Sequence, residues 1–177
     1  MLGLIILGTQ PSWGQDSQDQ GSWSEVSQIA HARNELFAGV VDEKLYVFGG
    51  GDGGETYETD YVDVYDPVAD RWTELRPMPE GANHFGITVV GDKIYIGGGF
   101  RAAQHSDEKD TFLSYHPATN QWERLPPLPG PRGAPSLAGV GGKIHVIGGR
   151  RMNTVLAEHD VYDIATGQWS AAAALSR

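Results

Sequence analysis

The chain has 177 residues, 40% of them hydrophobic and 20% charged, with no cysteine and a formal net charge of −10. That acidity, and the lack of any Lys/Arg-rich run, exclude nucleic acid and anionic membrane surfaces as partners, because both are bound through basic side chains that neutralise phosphate. Without cysteine there is neither a disulfide framework nor a thiolate metal site.

Taken in chain order, residues 1–14 read as a signal-peptide remnant. Residues 2–7 are apolar apart from Gly3, and Ser12-Trp13-Gly14 is a small-x-small cleavage site before a polar stretch. A secreted or periplasmic location is therefore expected; the other reading is a frayed tail or a start at an internal methionine. No later segment has the apolar length to cross a bilayer. Residues 15–27 follow as a polar linker and one orphan strand around Trp23.

From there the chain repeats itself. Val40-Val41-Asp42-Glu43-Lys44-Leu45-Tyr46-Val47-Phe48-Gly49-Gly50 returns 49 residues later as Val89-Val90-Gly91-Asp92-Lys93-Ile94-Tyr95-Ile96-Gly97-Gly98-Gly99. It returns again, 50 further on, as Gly139-Val140-Gly141-Gly142-Lys143-Ile144-His145-Val146-Ile147-Gly148-Gly149. Downstream of each glycine doublet a second alternating segment carries Tyr65, Tyr115 or Tyr162 and leads to Trp72, Trp122 or Trp169. The spacing delimits repeats at 28–79, 80–129 and 130–177.

Each repeat is predicted to form four strands: in the first, residues 37–41, 45–48, 62–65 and 71–75, here called a to d. Alternation marks half-buried strands, and Gly91-Asp92 and Gly141-Gly142 mark tight a–b hairpins. One such sheet cannot bury both faces alone, whereas sheets packed radially can, so the expected fold is all-β and propeller-like. The glycine doublets answer a backbone requirement for positive φ or close approach. No helical periodicity follows them, so they do not cradle phosphate. The repeated tyrosines and tryptophans are assigned to packing between sheets rather than to a stacking platform.

These motifs resemble the kelch family, whose repeat of about fifty residues carries a double glycine after strand b and a spaced Tyr and Trp. The resemblance covers residues 29–177; local departures are His145 in place of a tyrosine and Gly97 ahead of the second doublet. It implies a kelch-type β-propeller: three four-stranded blades plus the orphan strand, an incomplete ring, since propellers close with about four to eight blades. Two readings are open: the chain is a truncated product or fragment of a larger propeller completed by further blades, or two copies of three blades close one ring.

Strand direction places the b–c and d–a loops on one face, and the b–c loops of the three repeats differ in sequence and length while the opposite turns resemble each other. Recognition is expected on that face. Its candidate ligand-binding residues are Arg33, Asn83, His84, Arg101, His105, Arg132, Arg150 and Arg151, whose guanidinium groups suit the carboxylates of a peptide or an acidic sugar. Arg33 and Arg132 each lie ten residues after a repeat tryptophan and are divided between ligand contact and blade packing.

No catalytic residue, metal site or cofactor is expected. The six histidines show no short-range clustering in sequence, no nucleophile motif is present, and the radical site of the kelch-related copper oxidase needs a cysteine that this chain lacks. The leading functional reading is an exported scaffold binding a protein or carbohydrate; the alternative from another class is a carbohydrate-active enzyme resembling kelch-type sialic acid mutarotase, and a third is a purely structural remnant.

Overall fold

Short alternating runs separated by tight turns produce three antiparallel sheets in a computed structural model that describes residues 22–53, 57–102 and 106–176. Residues 1–14, expected to be a signal-peptide remnant, and His105 lie outside the described residues. The first sheet contains β1 (Phe37–Val41), β2 (Lys44–Phe48), β3 (Val62–Asp66) and β4 (Arg71–Glu74). The second begins with β5 (Gly86–Val90) and β6 (Lys93–Gly97), passes through a ribbon of β7 (Phe100–Ala102) and β8 (Ser106–Glu108), and ends with β9 (Phe112–His116) and β10 (Gln121–Arg124). In the third, β11 (Ser136–Val140) and β12 (Lys143–Ile147) precede a ribbon of β13 (Arg150–Arg151) and β14 (Thr154–Val155), then β15 (His159–Asp163) and β16 (Gln168–Ala171).

Within every sheet the spatial order is the chain order a-b-c-d, each strand antiparallel to the next. The a strands β1, β5 and β11 approach one another, which puts them innermost. Gly39 and Gly139 fall where they meet: a Cβ on Gly139 would lie 2.3 Å from the Val90 side chain. The two ribbons are b–c insertions that the repeat pattern alone did not show.

Apolar faces meet between sheets in two clusters. One joins blades 1 and 2 through Phe48, Val62, Met78, Phe85, Ile94 and Tyr115; the other joins blades 2 and 3 through Tyr95, Phe112, Leu128, Ile144, Val146 and Tyr162. Burial of this aromatic area is the main term holding one blade to the next. The repeated tryptophans sit on the outermost strands and are only half-buried, yet they also bridge blades: Trp122 meets Phe48 edge-on at 5.8 Å, and Trp169 meets Phe112 at 5.2 Å.

A polar seam repeats with the same register. The indole Nε1 of Trp72 donates to Ser27 O (2.8 Å), that of Trp122 to Arg76 O (3.2 Å) and that of Trp169 to Pro126 O (3.1 Å). Two residues before each tryptophan the chain turns left-handed, at Asp70, Asn120 and Gly167. Asp70 and Asn120 use a side-chain oxygen to accept from the blade's own tyrosine and from the backbone N–H of Ser27 or Arg76. In the third seam both halves are lost together: Gly167 has no acceptor, and Pro126 has no N–H to satisfy.

This register also explains the N-terminal segment. Ser27 follows Trp23 by the same interval at which Arg76 follows Trp72, so residues 22–27 occupy the place of a preceding blade's outer strand. A fourth strand needs a third beside it for its ladder. Over the described residues 22–29 no such neighbour exists; the segment is irregular, Trp23 is fully exposed, and the contact with blade 1 is made through Ser27.

Candidate functional site

The glycine doublets organise the loop face. Gly50 N donates to Ala82 O, and Gly99 N donates to Arg132 O, so the first two doublets are each bonded to the d–a connector of the following blade. Gly50 holds φ +95 with a Cβ position 2.3 Å from Asn34 O; Gly99 holds φ +105 and 2.7 Å from Asn83 O. Only glycine meets both demands. Immediately after each doublet, Gly51, Phe100 and Arg150 form bridges with Asn34, Asn83 and Gly133, which confirms that b–c and d–a loops share one face.

The next connector residues, Glu35, His84 and Ala134, are all left-handed (φ 54, 46 and 50) and lead into the inner strands. They are repeat equivalents arranged around the mouth of the blade array. Ala134 N donates to His84 O, and His84 Nδ1 lies 3.3 Å from a carboxylate oxygen of Glu35. Between blades 2 and 3 a cavity of about 200 Å³ is lined by His84, Phe100, Ala134 and Arg150. The Arg150 guanidinium stands over the Phe100 ring at 5.3 Å, and the His84 ring meets the same phenyl edge-on at 6.0 Å.

The other sequence candidates have different places. Arg33 is buried and donates to Asp63 at 2.6 Å; Arg132 is buried and donates to Asp160 at 2.5 Å and Glu158 at 3.0 Å. Both lie inside their blades. Asn83 is buried, donating from Nδ2 to Tyr57 O (2.5 Å) while its Oδ1 faces His84 Nδ1 at 3.2 Å, so it orients the imidazole rather than facing solvent. Arg151 donates from Nε to Pro131 O (2.8 Å) and reaches Glu158 at 3.3 Å. Arg101 is half-exposed and 3.4 Å from Glu80. His84 and Arg150 are thus the pair that share a cavity.

Glu80 is a hub for cations at the rim. Burial works against its charge, but hydrogen bonds from Arg124 and Thr111 and the buried Lys109 ammonium outweigh it and hold the carboxyl at about 2. Sequence reasoning passed over Phe100, Ala134 and Glu35 as site residues. The available signal was positional: each falls at a fixed step after a glycine doublet or a connector.

A model of the KLHDC2/KLHL20/DRC7 Kelch-repeats domain matches residues 16–176. Kelch-like protein terF of Aspergillus terreus is 34% identical over 114 residues, covering 59% of this chain and 25% of its own. Human Kelch-like protein 34 is 40% identical over 81 residues, covering 44% of this chain and 12% of its own. The chain therefore spans a quarter or less of these two relatives. Among solved structures, one titled "Structure of YjhT" superposes with a TM-score of 0.75 at 22% identity, over 91% of this chain and 58% of that one. Among the described residues no helix is long and apolar enough to cross a membrane.

Proposed function

Because this chain belongs to the kelch-repeat family, we propose that it is a binding scaffold whose loop face captures a protein or carbohydrate partner through the cavity between blades 2 and 3. The observation that carries the reading is the lining itself. A phenyl face, an imidazole and a guanidinium converge with small Ala134 on about 200 Å³, enough for one side chain or one sugar ring. A guanidinium beside an apolar wall fits a carboxylate on a small apolar body, such as an acidic peptide side chain or an acidic sugar. The alternative, a carbohydrate-active enzyme resembling kelch-type sialic acid mutarotase, rests on family resemblance, and a shared fold does not carry a function.

The test is binding of the full chain to arrayed acidic peptides and carboxylated glycans, alongside neutral analogues. Preferential capture of carboxylated probes, weakened at least tenfold in Arg150→Glu and His84→Ala, supports the reading. Capture unchanged in both variants places the binding face elsewhere.

Completion of the ring by further blades or a second copy belongs to the same proposal. Leu175 is 53% exposed and borders an apolar cavity of about 450 Å³ with Val155, Leu156 and Ala157, whereas its repeat equivalents Met78 and Leu128 are 3% exposed under the following blade. Export remains proposed on the apolar run and small-x-small site of residues 1–14, and detection of the processed chain outside the cytoplasm is its check.

A further inference from the structure

Strands b and c of the third blade depart from the other two at adjacent positions. Where blade 1 has Tyr46 with Val62 and blade 2 has Tyr95 with Phe112, blade 3 has His145 with His159. The register pairs Ile147 with His159 and His145 with Val161, so the two histidines are diagonal neighbours on one face of the sheet. Their rings are 5.1 Å apart, and Nδ1 of His145 lies 2.8 Å from Nε2 of His159. Fourteen residues of sequence separate them, which hides the pair from any short-spacing motif.

His159 is oriented by a further contact: its Nδ1 is 3.0 Å from the carbonyl oxygen of Ala173. A carbonyl only accepts, so Nδ1 carries the proton and Nε2 presents a lone pair toward His145. An imidazole whose second nitrogen is fixed on a backbone carbonyl has the outer-shell arrangement that supports metal-ligating histidines. When the His145 Nδ1 proton moves to Nε2, both facing nitrogens are lone-pair donors. Both residues are partly exposed, so solvent can complete a coordination sphere.

We propose that His145 and His159 form a two-histidine site for a transition-metal ion with tetragonal preference, Cu(II) or Ni(II). Imidazole suits copper, nickel and zinc, and Cu(II) heads the affinity order for a given nitrogen site; with two imidazoles and the remaining positions open to solvent, no protein cage imposes the closed tetrahedron of a structural zinc site. The 2.8 Å contact is the hydrogen bond of the metal-free pair, and it shows that the two nitrogens are close enough to share one ion after the rings turn. Among the described residues no group of three or more His, Cys, Asp or Glu side chains converges, so this is a surface chelate with open positions rather than an enclosed centre.

The experiment is calorimetric titration of the full chain with Cu(II) in a non-coordinating buffer, comparing the unaltered protein with His145→Tyr and His159→Phe. These substitutions restore the residues that blade 2 tolerates, and circular dichroism verifies that the sheets persist. One equivalent of Cu(II) in the tightest class, weakened at least tenfold by either substitution, is the expected result. No tight class in the unaltered chain, a tight class unchanged by the substitutions, or loss with only one of them overturns the proposal. Electron paramagnetic resonance of the unaltered chain gives an answer that needs no variant: coupling to two imidazole nitrogens is expected, and one or none refutes the pair.

Discussion

Replacing Arg132 by alanine should cost the third blade far more than a loop arginine is worth, and replacing Asp160 with it should restore most of the loss. The Arg132 guanidinium has no exposed side-chain surface and bonds Asp160 at 2.5 Å, so removing it strands a largely buried carboxylate. Breaking such a pair costs about 3–5 kcal/mol, whereas replacing both members with apolar groups is often neutral. The second blade already makes that replacement: at the positions of Arg33 and Arg132 it has Ala82, and at those of Asp63 and Asp160 it has Leu113, both buried. For a chain of this size about 3 kcal/mol corresponds to a fall in Tm of about 6–12 °C. The assay is thermal and urea unfolding of Arg132→Ala, Asp160→Leu and the double variant, followed by tryptophan fluorescence. Each single variant should lose about 3 kcal/mol, and the double should lie within about 1 kcal/mol of the unaltered protein. A harmless Arg132→Ala, or single effects that simply add, would refute the packing role and return Arg132 to the ligand-binding set.

Gly50→Ala, at φ +95 with its Cβ 2.3 Å from Asn34 O, should destabilise by about 3 kcal/mol, against about 1 kcal/mol for Gly53→Ala, at φ +74 with no atom within 4 Å; paired urea midpoints decide. Trp122→Phe removes the indole bond to Arg76 O and should cost about 1 kcal/mol or more, while Trp23→Ala, fully exposed, should change the unfolding midpoint by less than about 0.5 kcal/mol. Glu80 is held at about 2, below its ordinary 4.5, so its contribution is complete above pH 4.5 and lost as the pH falls through 2. Glu80→Gln should flatten the acid limb of the stability curve by about 1 kcal/mol after screening at this half-open rim, and an unchanged limb would show that the cations do not stabilise its charge in the fold.

Periodicity alone reveals the blades, because a four-stranded sheet with two apolar faces must repeat its pattern to be covered by the next. Val40 to Gly50 and its two copies therefore announce their strands, turns and doublets without any tertiary information. The turn side chains Asp70 and Asn120 and the indoles of Trp72 and its equivalents likewise belong to a seam that recurs in sequence register. Function is less legible for the same reason: a residue placed by the repeat looks structural whatever it does. Arg33, Arg132, Arg150 and Arg151 look alike as loop arginines, yet the first two turn inward onto Asp63 and Asp160, which occupy equivalent positions on strand c of their own blades. Arg150 instead joins Phe100 and His84 from another blade. His145 and His159 meet because strands b and c run antiparallel with a particular register, and a spacing of fourteen residues encodes that only through the length of the intervening loop. Linear sequence specifies which side chains share a face; packing of one blade on the next decides which are left to meet a ligand.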